Sequence, residues 1–190
     1  MIVHSERITS AQLDKVKKVS AALKIDPSWL LMAMFKETGG TFSPSIKNPT
    51  SSASGLIQFM EATAKSLGTS TAALRKMTFI QQMDYVYKYF LPYRGKLNSF
   101  FDVYLAIFYP AAIGKPDSWI FPDWVYRANK GLDTNKSGKI SLGEWKAWAL
   151  KGQGLKSNTL KNNSSNNNSG IIPLILFCGF ILGVYLYTSK

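Results

Sequence analysis

The feature that most constrains the fold is an apolar segment that ends in a single carboxylate. Every residue from 29 to 35 is apolar, so a helix over this segment has no face that favours water and must be buried. Asp26, followed by a proline, is suited to cap the start of that helix. Two glycines at 39–40 supply the left-handed conformation that commonly ends a helix. The pattern predicts a buried helix whose last turn contains Glu37.

Capping and spacing signals predict further helices. Thr9 with Gln12, and Thr78 with Gln81, have the spacing of capping boxes. Apolar residues recur at helical spacing after both, and strand-like alternation is absent. A loop rich in Ser, Pro, Thr and Asn is expected at 41–54. The sequence therefore predicts a mainly α fold, with further helices from Thr9 to about 24, from 56 to 67, from Thr78 to about 91 and from about 99 to 109.

Composition excludes several kinds of catalytic site. Lys plus Arg number 23 and Asp plus Glu 11, so the formal net charge of +12 predicts attraction to cell-wall polymers, anionic lipid or nucleic acid. The only histidine is His4, near an end expected to fray, and the only cysteine is Cys178, within an apolar tail. A Ser-His-Asp triad, a Cys-His pair, a histidine-built zinc site and an intrachain disulfide are therefore excluded.

Glu37 is the candidate catalytic residue. A dry helix desolvates its carboxyl group, and the partial negative charge at a helix C-terminus also disfavours the ionised form. The pKa of Glu37 is therefore expected to be raised, which suits a general acid that protonates the leaving oxygen of a glycosidic bond near neutral pH. The alternative is an ordinary glutamate in the last turn of a surface helix.

The residues around Glu37 resemble the signature of a known enzyme family. Glu37-Thr38 is followed by Ser52-Ala53-Ser54-Gly55, Leu56-Ile57-Gln58-Phe59 and Thr63-Ala64. This order and spacing are similar to those of lytic transglycosylases of the soluble type, which share a goose-lysozyme-like helical fold. The resemblance covers roughly residues 20 to 115 and implies a lysozyme-like domain that cleaves peptidoglycan.

The resemblance implies a role for each matching residue. Glu37 matches the catalytic acid/base, and Thr38 matches its hydroxyl-bearing neighbour. Tyr109 aligns with the aromatic residue of a later family motif whose Asn and Gly are missing here, and its hydroxyl is expected near the acid; the alternative is a core aromatic at a helix end. The segment that lines the sugar cleft opposite the acid is matched by Gly55, Leu56, Ile57 and Gln58, with Ile57 where the family usually has Met.

A mechanism with one carboxylate suits this sequence. Ordinary glycosidases need a second carboxylate roughly 5 to 9.5 Å from the first, whereas Glu61, Asp84 and Asp102 lie on helices among solvated-looking residues. In a lytic transglycosylase, as the resemblance implies, Glu37 protonates the MurNAc-GlcNAc glycosidic oxygen and then activates the 6-hydroxyl of the same N-acetylmuramic acid. The product is a 1,6-anhydro sugar, formed without a cofactor. A hydrolytic muramidase, with Glu61 or Asp84 positioning water, is the alternative.

A second motif lies near the end of the helical region. Residues 133–144 follow the EF-hand calcium-loop pattern, with glycine at position six and Ile140 at the apolar position eight. Low ligand charge predicts weak affinity, and a lone hand is expected to pack on the catalytic domain, with calcium in a structural role. The alternative is a vestigial loop closed by side-chain hydrogen bonds. The predicted ligands are Asp133, Asn135, Ser137, Lys139, Ser141 and Glu144.

The C-terminal part of the chain differs in composition from the rest. An Asn/Ser-rich segment at 153–170 cannot bury enough apolar area to fold and is predicted to be a flexible linker. Residues 171–187 are apolar and uncharged, which predicts a short transmembrane helix, with a buried core helix as the alternative. The lysozyme-like domain is expected at 1–120 and the EF-hand-like helix-loop-helix, packed on it, at 121–152.

These features together predict a membrane-anchored enzyme that acts on peptidoglycan. The N-terminus lacks a basic start followed by an apolar run, so no secretory signal is predicted. This favours a bacteriophage protein of entry or lysis, located in a virion membrane or at the bacterial envelope. The non-enzymatic alternative is an inactive peptidoglycan-binding or virion structural protein. Nucleic-acid binding is not expected, because the lysines are scattered rather than interleaved with exposed aromatics on one face.

Overall fold

The computed structural model describes residues 1–154, and this part of the chain is mainly α-helical. Loops and short 3-10 turns connect the helices, and β-pairing within residues 1–154 is limited to isolated bridges. The α-helices are α1 (Ser10–Leu23), α2 (Pro27–Glu37), α3 (Glu61–Ser66), α4 (Thr71–Leu74), α5 (Phe79–Phe90), α6 (Phe100–Phe108), α7 (Asp123–Ala128) and α8 (Leu142–Leu150).

The predicted caps fix the starts of the main helices. Thr9 accepts a hydrogen bond from the Gln12 backbone at 3.3 Å, and the Gln12 side chain accepts one in return from the Thr9 backbone at 2.9 Å. The same reciprocal capping box opens α5 at Thr78. Asp26 caps α2 by accepting from the Ser28 backbone at 2.7 Å. The predicted caps are therefore confirmed. Helix α2, which Asp26 opens, ends at Glu37.

The core surrounds α2. This helix packs against α1 and α6, and α1 also packs against α5. All five residues from Leu30 to Met34 are at most 5% exposed, so the prediction of a helix buried on every side is confirmed.

The helix predicted at 56–67 begins later than expected. Residues 54–59 form a tight turn in which the Ser54 and Phe59 backbones exchange hydrogen bonds of 3.0 and 2.8 Å. Gln58 adopts a left-handed φ of 51° within this turn, which a continuous helix does not permit. Helix α3 therefore starts only at Glu61, and the apolar residues before it are buried in a turn.

The helix-loop-helix segment shares the core of the helices before it. Ile140 and Trp145 are fully buried, and they belong to the same hydrophobic cluster as α2 and α6. Helix α8 packs directly on α6. The expectation that this segment packs on the preceding helices agrees with the structure, and the core is continuous across position 120.

Both ends of the described chain are attached to α2. His4 is 6% exposed, its ring stacks on Phe35 with centroids 4.1 Å apart, and its Nε2 lies 2.9 Å from Gln153 Oε1. The Gln153 amide donates to the Met32 carbonyl at 3.1 Å. The expectation of a frayed end at His4 is therefore wrong, and Gln153, which was predicted to start the linker, is buried.

The remaining predicted segments lie outside the described residues. They are the linker from 155 to 170, the membrane span at 171–187 and Cys178. Among residues 1–154, none of the helices has both the length and the apolar character that crossing a membrane requires.

Candidate active site

Glu37 is a buried acid at the last residue of α2. The residue is only 7% exposed, and its carboxyl group forms a side-chain hydrogen bond with Tyr104 of α6. Burial raises the pKa of Glu37 to about 7, while the hydrogen bond from Tyr104 and the positive charge of Lys36 act in the opposite direction. The raised pKa predicted from the sequence is confirmed, and the surface-helix alternative is excluded.

Tyr104 is a candidate site residue that the sequence reasoning missed. Its ring lies between aromatic neighbours, 5.8 Å from Phe100 and 5.9 Å from Trp148, with both rings within 19° of parallel. Trp145 also contacts it at 5.3 Å. A tyrosine on the buried face of an apolar helix needs a partner for its hydroxyl group, and this requirement was the signal available in the sequence. The packing fixes the hydroxyl group at Glu37.

The charge of Glu37 also affects the pKa of a second tyrosine, Tyr89. The Tyr89 hydroxyl donates to the Ala106 carbonyl at 2.8 Å. The pKa of Tyr89 is raised above its ordinary value, chiefly by burial and to a lesser extent by Tyr93 and the Glu37 charge. Phe59 packs edge-on against the Tyr89 ring at 6.0 Å. Tyr89 therefore connects the turn at 54–59 to the neighbourhood of Glu37.

Thr38 shapes the chain immediately after the acid. It is fully buried, and its hydroxyl donates to the Met34 carbonyl at 2.7 Å and accepts from the Phe42 backbone at 3.0 Å. These bonds occupy the hydroxyl within the protein. The structure therefore gives Thr38 a role in ending α2, and a role for Thr38 in binding substrate stays a prediction from the resemblance.

The turn that contains Gly55 is held by a buried glutamine. Gln82 is fully buried; its Oε1 accepts from the Leu56 backbone at 2.6 Å, and its Nε2 donates to the carbonyls of Pro44 at 3.0 Å and Leu74 at 2.9 Å. Gly55 has a φ of +79°, and a Cβ at this position would lie 2.3 Å from Gln82 Oε1. Glycine is therefore required here both by the backbone conformation and by the space.

The other predicted cleft residues are packed within the same turn. Leu56, Ile57 and Gln58 are 0, 2 and 6% exposed. The Gln58 side chain donates to the Gly55 carbonyl at 3.0 Å, which closes the turn on itself. The three residues are therefore buried within the turn, and Phe59 packs against the Tyr89 ring.

Tyr109 lies in a different aromatic cluster from Tyr104. It caps the C-terminus of α6, and its ring lies 5.6 Å from Phe121, 5.8 Å from Trp124 and 5.9 Å from Trp119. The packing fits the alternative of an aromatic residue at a helix end. The hydroxyl group that is hydrogen-bonded to Glu37 belongs to Tyr104, five residues earlier in the chain.

The other acids of the helical region have structural roles. The Glu61 carboxylate accepts from the Thr71 backbone at 3.0 Å and from its hydroxyl at 2.6 Å, and these bonds lower the pKa of Glu61. Asp84 pairs with Lys15 across α1 and α5. Asp102 accepts hydrogen bonds at the start of α6. The charged residue that acts on the pKa of Glu37 is Lys36, and not one of these acids.

The predicted calcium loop has the geometry of convergent oxygen atoms. Asp133 Oδ1 and Asn135 Oδ1 each accept from the Ser137 backbone at 2.9 Å, and the Ser137 hydroxyl donates to the Lys139 carbonyl at 3.3 Å. Carboxylate, amide, hydroxyl and carbonyl oxygens are the ligands that Ca²⁺ takes in proteins. The donor set fits this ion. Within residues 1–154 no three His, Cys, Asp or Glu side chains form a metal-binding group, so such a site would depend largely on neutral oxygens.

Glu144 and Ser141 close this loop at the start of α8. Glu144 Oε1 accepts from the Thr134 backbone at 3.0 Å, and Oε2 accepts from the Ser141 backbone at 2.9 Å. Ser141 in turn caps α8 by accepting from the Glu144 backbone at 3.2 Å. Burial acts to raise the pKa of Glu144, but hydrogen bonds from Ser141, Asn135 and Thr134 together lower it. The carboxylate is therefore held ionised, as a metal ligand must be.

The segment at 119–121 pairs with the loop through an isolated β-bridge between Ile120 and Ser141. The Phe121 backbone donates to the Ile140 carbonyl at 2.9 Å, and the Leu142 backbone donates to the Trp119 carbonyl at 2.8 Å. The sequence reasoning predicted a lone hand and did not identify this pairing. The segment connects the loop to the aromatic cluster at Tyr109.

Comparisons of this chain with protein-family models, with curated proteins and with solved structures found no match.

Proposed function

We propose that this protein is a peptidoglycan lytic transglycosylase with Glu37 as its single acid/base. The observation that supports the proposal most directly is a glutamate buried at a helix end, with its pKa raised to about 7 and a tyrosine hydroxyl bonded to its carboxyl group. A carboxyl group that titrates near neutral pH can both give and take a proton under the same conditions. A lysozyme-like arrangement of the helices is part of the proposal.

The protonated form of Glu37 begins the reaction. It gives its proton to the glycosidic oxygen between N-acetylmuramic acid and N-acetylglucosamine, and the bond from that oxygen to the MurNAc anomeric carbon breaks. The leaving sugar departs with a new hydroxyl group, and Glu37 becomes a carboxylate. The Tyr104 hydrogen bond and the Lys36 charge both favour this ionised form.

The Glu37 carboxylate then completes the reaction as a base. It removes the proton from the 6-hydroxyl of the same N-acetylmuramic acid, whose oxygen bonds to the anomeric carbon. The product carries a 1,6-anhydro ring, Glu37 is again protonated, and no water is consumed. No metal or cofactor takes part in these steps.

Digestion of purified peptidoglycan by the full-length chain tests this proposal. We expect products with 1,6-anhydro ends in mass spectrometry, and a loss of at least about 100-fold in rate for Glu37→Gln. Glu6→Gln is the matched control, because Glu6 is exposed and should leave the rate unchanged. Reducing ends would assign the enzyme as a hydrolytic muramidase. Equal product from wild type and Glu37→Gln would refute the enzymatic role.

The proposed partners follow from the sequence. Peptidoglycan glycan strands are the proposed substrate, and the proposed attachment to a lipid bilayer uses residues 171–187, which lie outside the described residues. A virion membrane or the bacterial envelope is the proposed location. Co-sedimentation of the full-length chain with phosphatidylglycerol vesicles, compared with a chain ending at 170, tests the attachment.

We also propose that the loop at 133–144 binds one structural Ca²⁺. The support is the full EF-hand pattern together with the convergence of the Asp133, Asn135 and Ser137 side chains, with Glu144 closing the loop. The ion would link the beginning of the loop to the start of α8. We expect the bound ion to raise the free energy of unfolding of the protein.

Thermal unfolding with and without calcium tests this second proposal. A ligand that binds only the folded state adds about 2.7 kcal/mol at 100 times its dissociation constant, so millimolar calcium should raise the Tm above its value in chelator. Asp133→Asn should remove most of this increase. The control is Asp123→Asn, an exposed carboxylate that pairs with Arg127 outside the loop. A Tm that does not respond to calcium would contradict the proposal.

A further inference from the structure

Lys36, the residue before the candidate catalytic acid, reaches the C-terminal end of α8. Its Nζ donates to the Trp148 carbonyl at 2.9 Å and to the Lys151 carbonyl at 2.7 Å. The ammonium group also lies 4.5 Å from the centre of the Trp148 ring. The last carbonyls of a helix have no partner within it and bear partial negative charge. Lys36 therefore caps α8 with a side chain from α2.

A second contact attaches the same two helices. Gln153 follows α8 and is 1% exposed. Its amide donates to the Met32 carbonyl of α2 at 3.1 Å and to the Ala149 carbonyl of α8 at 3.3 Å. The end of α8 is thus joined to α2 at Met32 and again at Lys36, so the position of the Lys36 ammonium is determined by α8.

Helix α8 also reaches the acid through aromatic packing. Trp148, whose carbonyl and ring both contact Lys36, stacks on Tyr104, which is hydrogen-bonded to Glu37. The two groups that favour the ionised form of Glu37 are therefore in contact with the same tryptophan. This arrangement makes α8 a supporting element of the candidate site.

The charges around Glu37 are consistent with an electrostatic role for Lys36. Lys36 lowers the pKa of Glu37, as does the Tyr104 hydrogen bond, and the Glu37 charge contributes to the raised pKa of Tyr89. Burial and the nearby Lys151 lower the pKa of Lys36 to about 8. Lys36 therefore still bears most of its charge at the pH where Glu37 exchanges its proton.

We propose that Lys36 is a positioning residue for the reaction of Glu37: the C-terminal carbonyls of α8 hold the ammonium of the residue that precedes the acid, and its charge stabilises the carboxylate that must act as base. The proposal rests on the acid/base function of Glu37. It also means that the helix following the calcium loop is required for the chemistry of the acid, since α8 fixes the position of the charge.

Titration of the Glu37 carboxyl group by NMR tests this role without substrate. The chain contains four glutamates, Glu6, Glu37, Glu61 and Glu144, so labelling glutamate at its carboxyl carbon gives few signals, and Glu37→Gln assigns the relevant one. In the full-length chain, Lys36→Met should move the Glu37 midpoint to higher pH, because it removes a positive charge that favours the carboxylate.

A matched control separates this effect from a general change of charge. Lys88 is exposed and lies 4.9 Å from the Tyr85 ring, so Lys88→Met removes an equal charge from above an aromatic ring without altering a helix cap. It should leave the Glu37 midpoint in place. Lys36→Arg keeps the charge and should restore most of the wild-type midpoint.

The outcomes distinguish this inference from the proposed function. An unchanged midpoint in Lys36→Met would overturn the role of Lys36 even if the wild type cleaves peptidoglycan. If Lys36→Met does not fold, the same comparison is made with Lys36→Gln, which can still donate to one carbonyl but has no charge. A folded wild type that leaves peptidoglycan intact refutes the function, whatever the midpoint does. In the active enzyme, Lys36→Met should also move the alkaline limb of the pH–rate profile to higher pH, together with the midpoint of the Glu37 titration.

Discussion

Removing the charge of Glu37 should stabilise the protein at neutral and alkaline pH. Glu37→Gln replaces a buried acid by a neutral amide of nearly equal shape, and the amide oxygen can still accept the Tyr104 hydrogen bond. The substitution therefore keeps the packing and removes only the cost of ionising a carboxyl group inside the protein. This cost is the physical origin of the raised pKa.

The size and sign of the effect follow from the displaced pKa. In the unfolded chain Glu37 should titrate near its ordinary value of 4.5, and in the folded protein it titrates at about 7. Between these values the folded state holds a proton that the unfolded state has lost, so the stability of the wild type falls as pH rises. At 1.36 kcal/mol per pKa unit, this lowers the free energy of unfolding of the wild type, relative to Glu37→Gln, by about 3 kcal/mol above pH 7. Below pH 4.5 the difference is close to zero.

Urea unfolding at a series of pH values measures this difference. The free energies of unfolding of wild type and Glu37→Gln should agree near pH 4 and differ by about 3 kcal/mol at pH 8. This corresponds to a difference of about 1.5 M in the urea concentration at the midpoint of unfolding. The control is Glu6→Gln, which removes an exposed glutamate and should follow the wild type at every pH. Curves for wild type and Glu37→Gln that stay parallel from pH 4 to 8 would refute the reasoning, because Glu37 would then have its ordinary pKa.

Two further substitutions test the surroundings of the acid. Tyr104→Phe removes the hydrogen bond that lowers the pKa of Glu37, so the alkaline limb of the rate profile should move to higher pH; an unchanged profile would contradict the contact. Gly55→Ala should cost at least about 3 kcal/mol in urea unfolding, because its Cβ would displace the bonded Gln82 amide. Gly95→Ala has a similar φ of +78° and open space, so it should cost only about 1 kcal/mol; equal costs would count against the clash.

The parts of the fold that depend on near neighbours in sequence could be predicted. A capping box involves residues three positions apart, so Thr9 and Thr78 identified the starts of α1 and α5. The burial of Glu37 followed from the apolar residues immediately before it. Such signals require no knowledge of tertiary contacts, which is why these predictions agree with the structure.

The parts that depend on distant neighbours could not be predicted. Gln82 forms hydrogen bonds with Leu74, Leu56 and Pro44, which lie 8, 26 and 38 positions away in the sequence. No spacing rule identifies partners at such separations. The same applies to Lys36 and α8, which are 112 residues apart. The prediction of a helix from residue 56 is wrong for residues 56–59, because their apolar side chains fit either a helix or a buried turn. The prediction of Tyr109 came from a motif whose Asn and Gly are missing, and that motif gave no indication of the hydrogen bond between Tyr104 and Glu37.

The same burial that raises the pKa of Glu37 bears on which nucleophile the site can use. Hydrolysis requires a water molecule and a group to activate it, and Glu61 is already bonded to Thr71 while Asp84 is paired with Lys15. The carboxyl group of Glu37 is buried and hydrogen-bonded to Tyr104. A 6-hydroxyl belongs to the substrate and arrives with it, so it needs neither a second acid nor a water site. Under the proposed function, a single buried carboxyl group therefore favours the anhydro product over the reducing one.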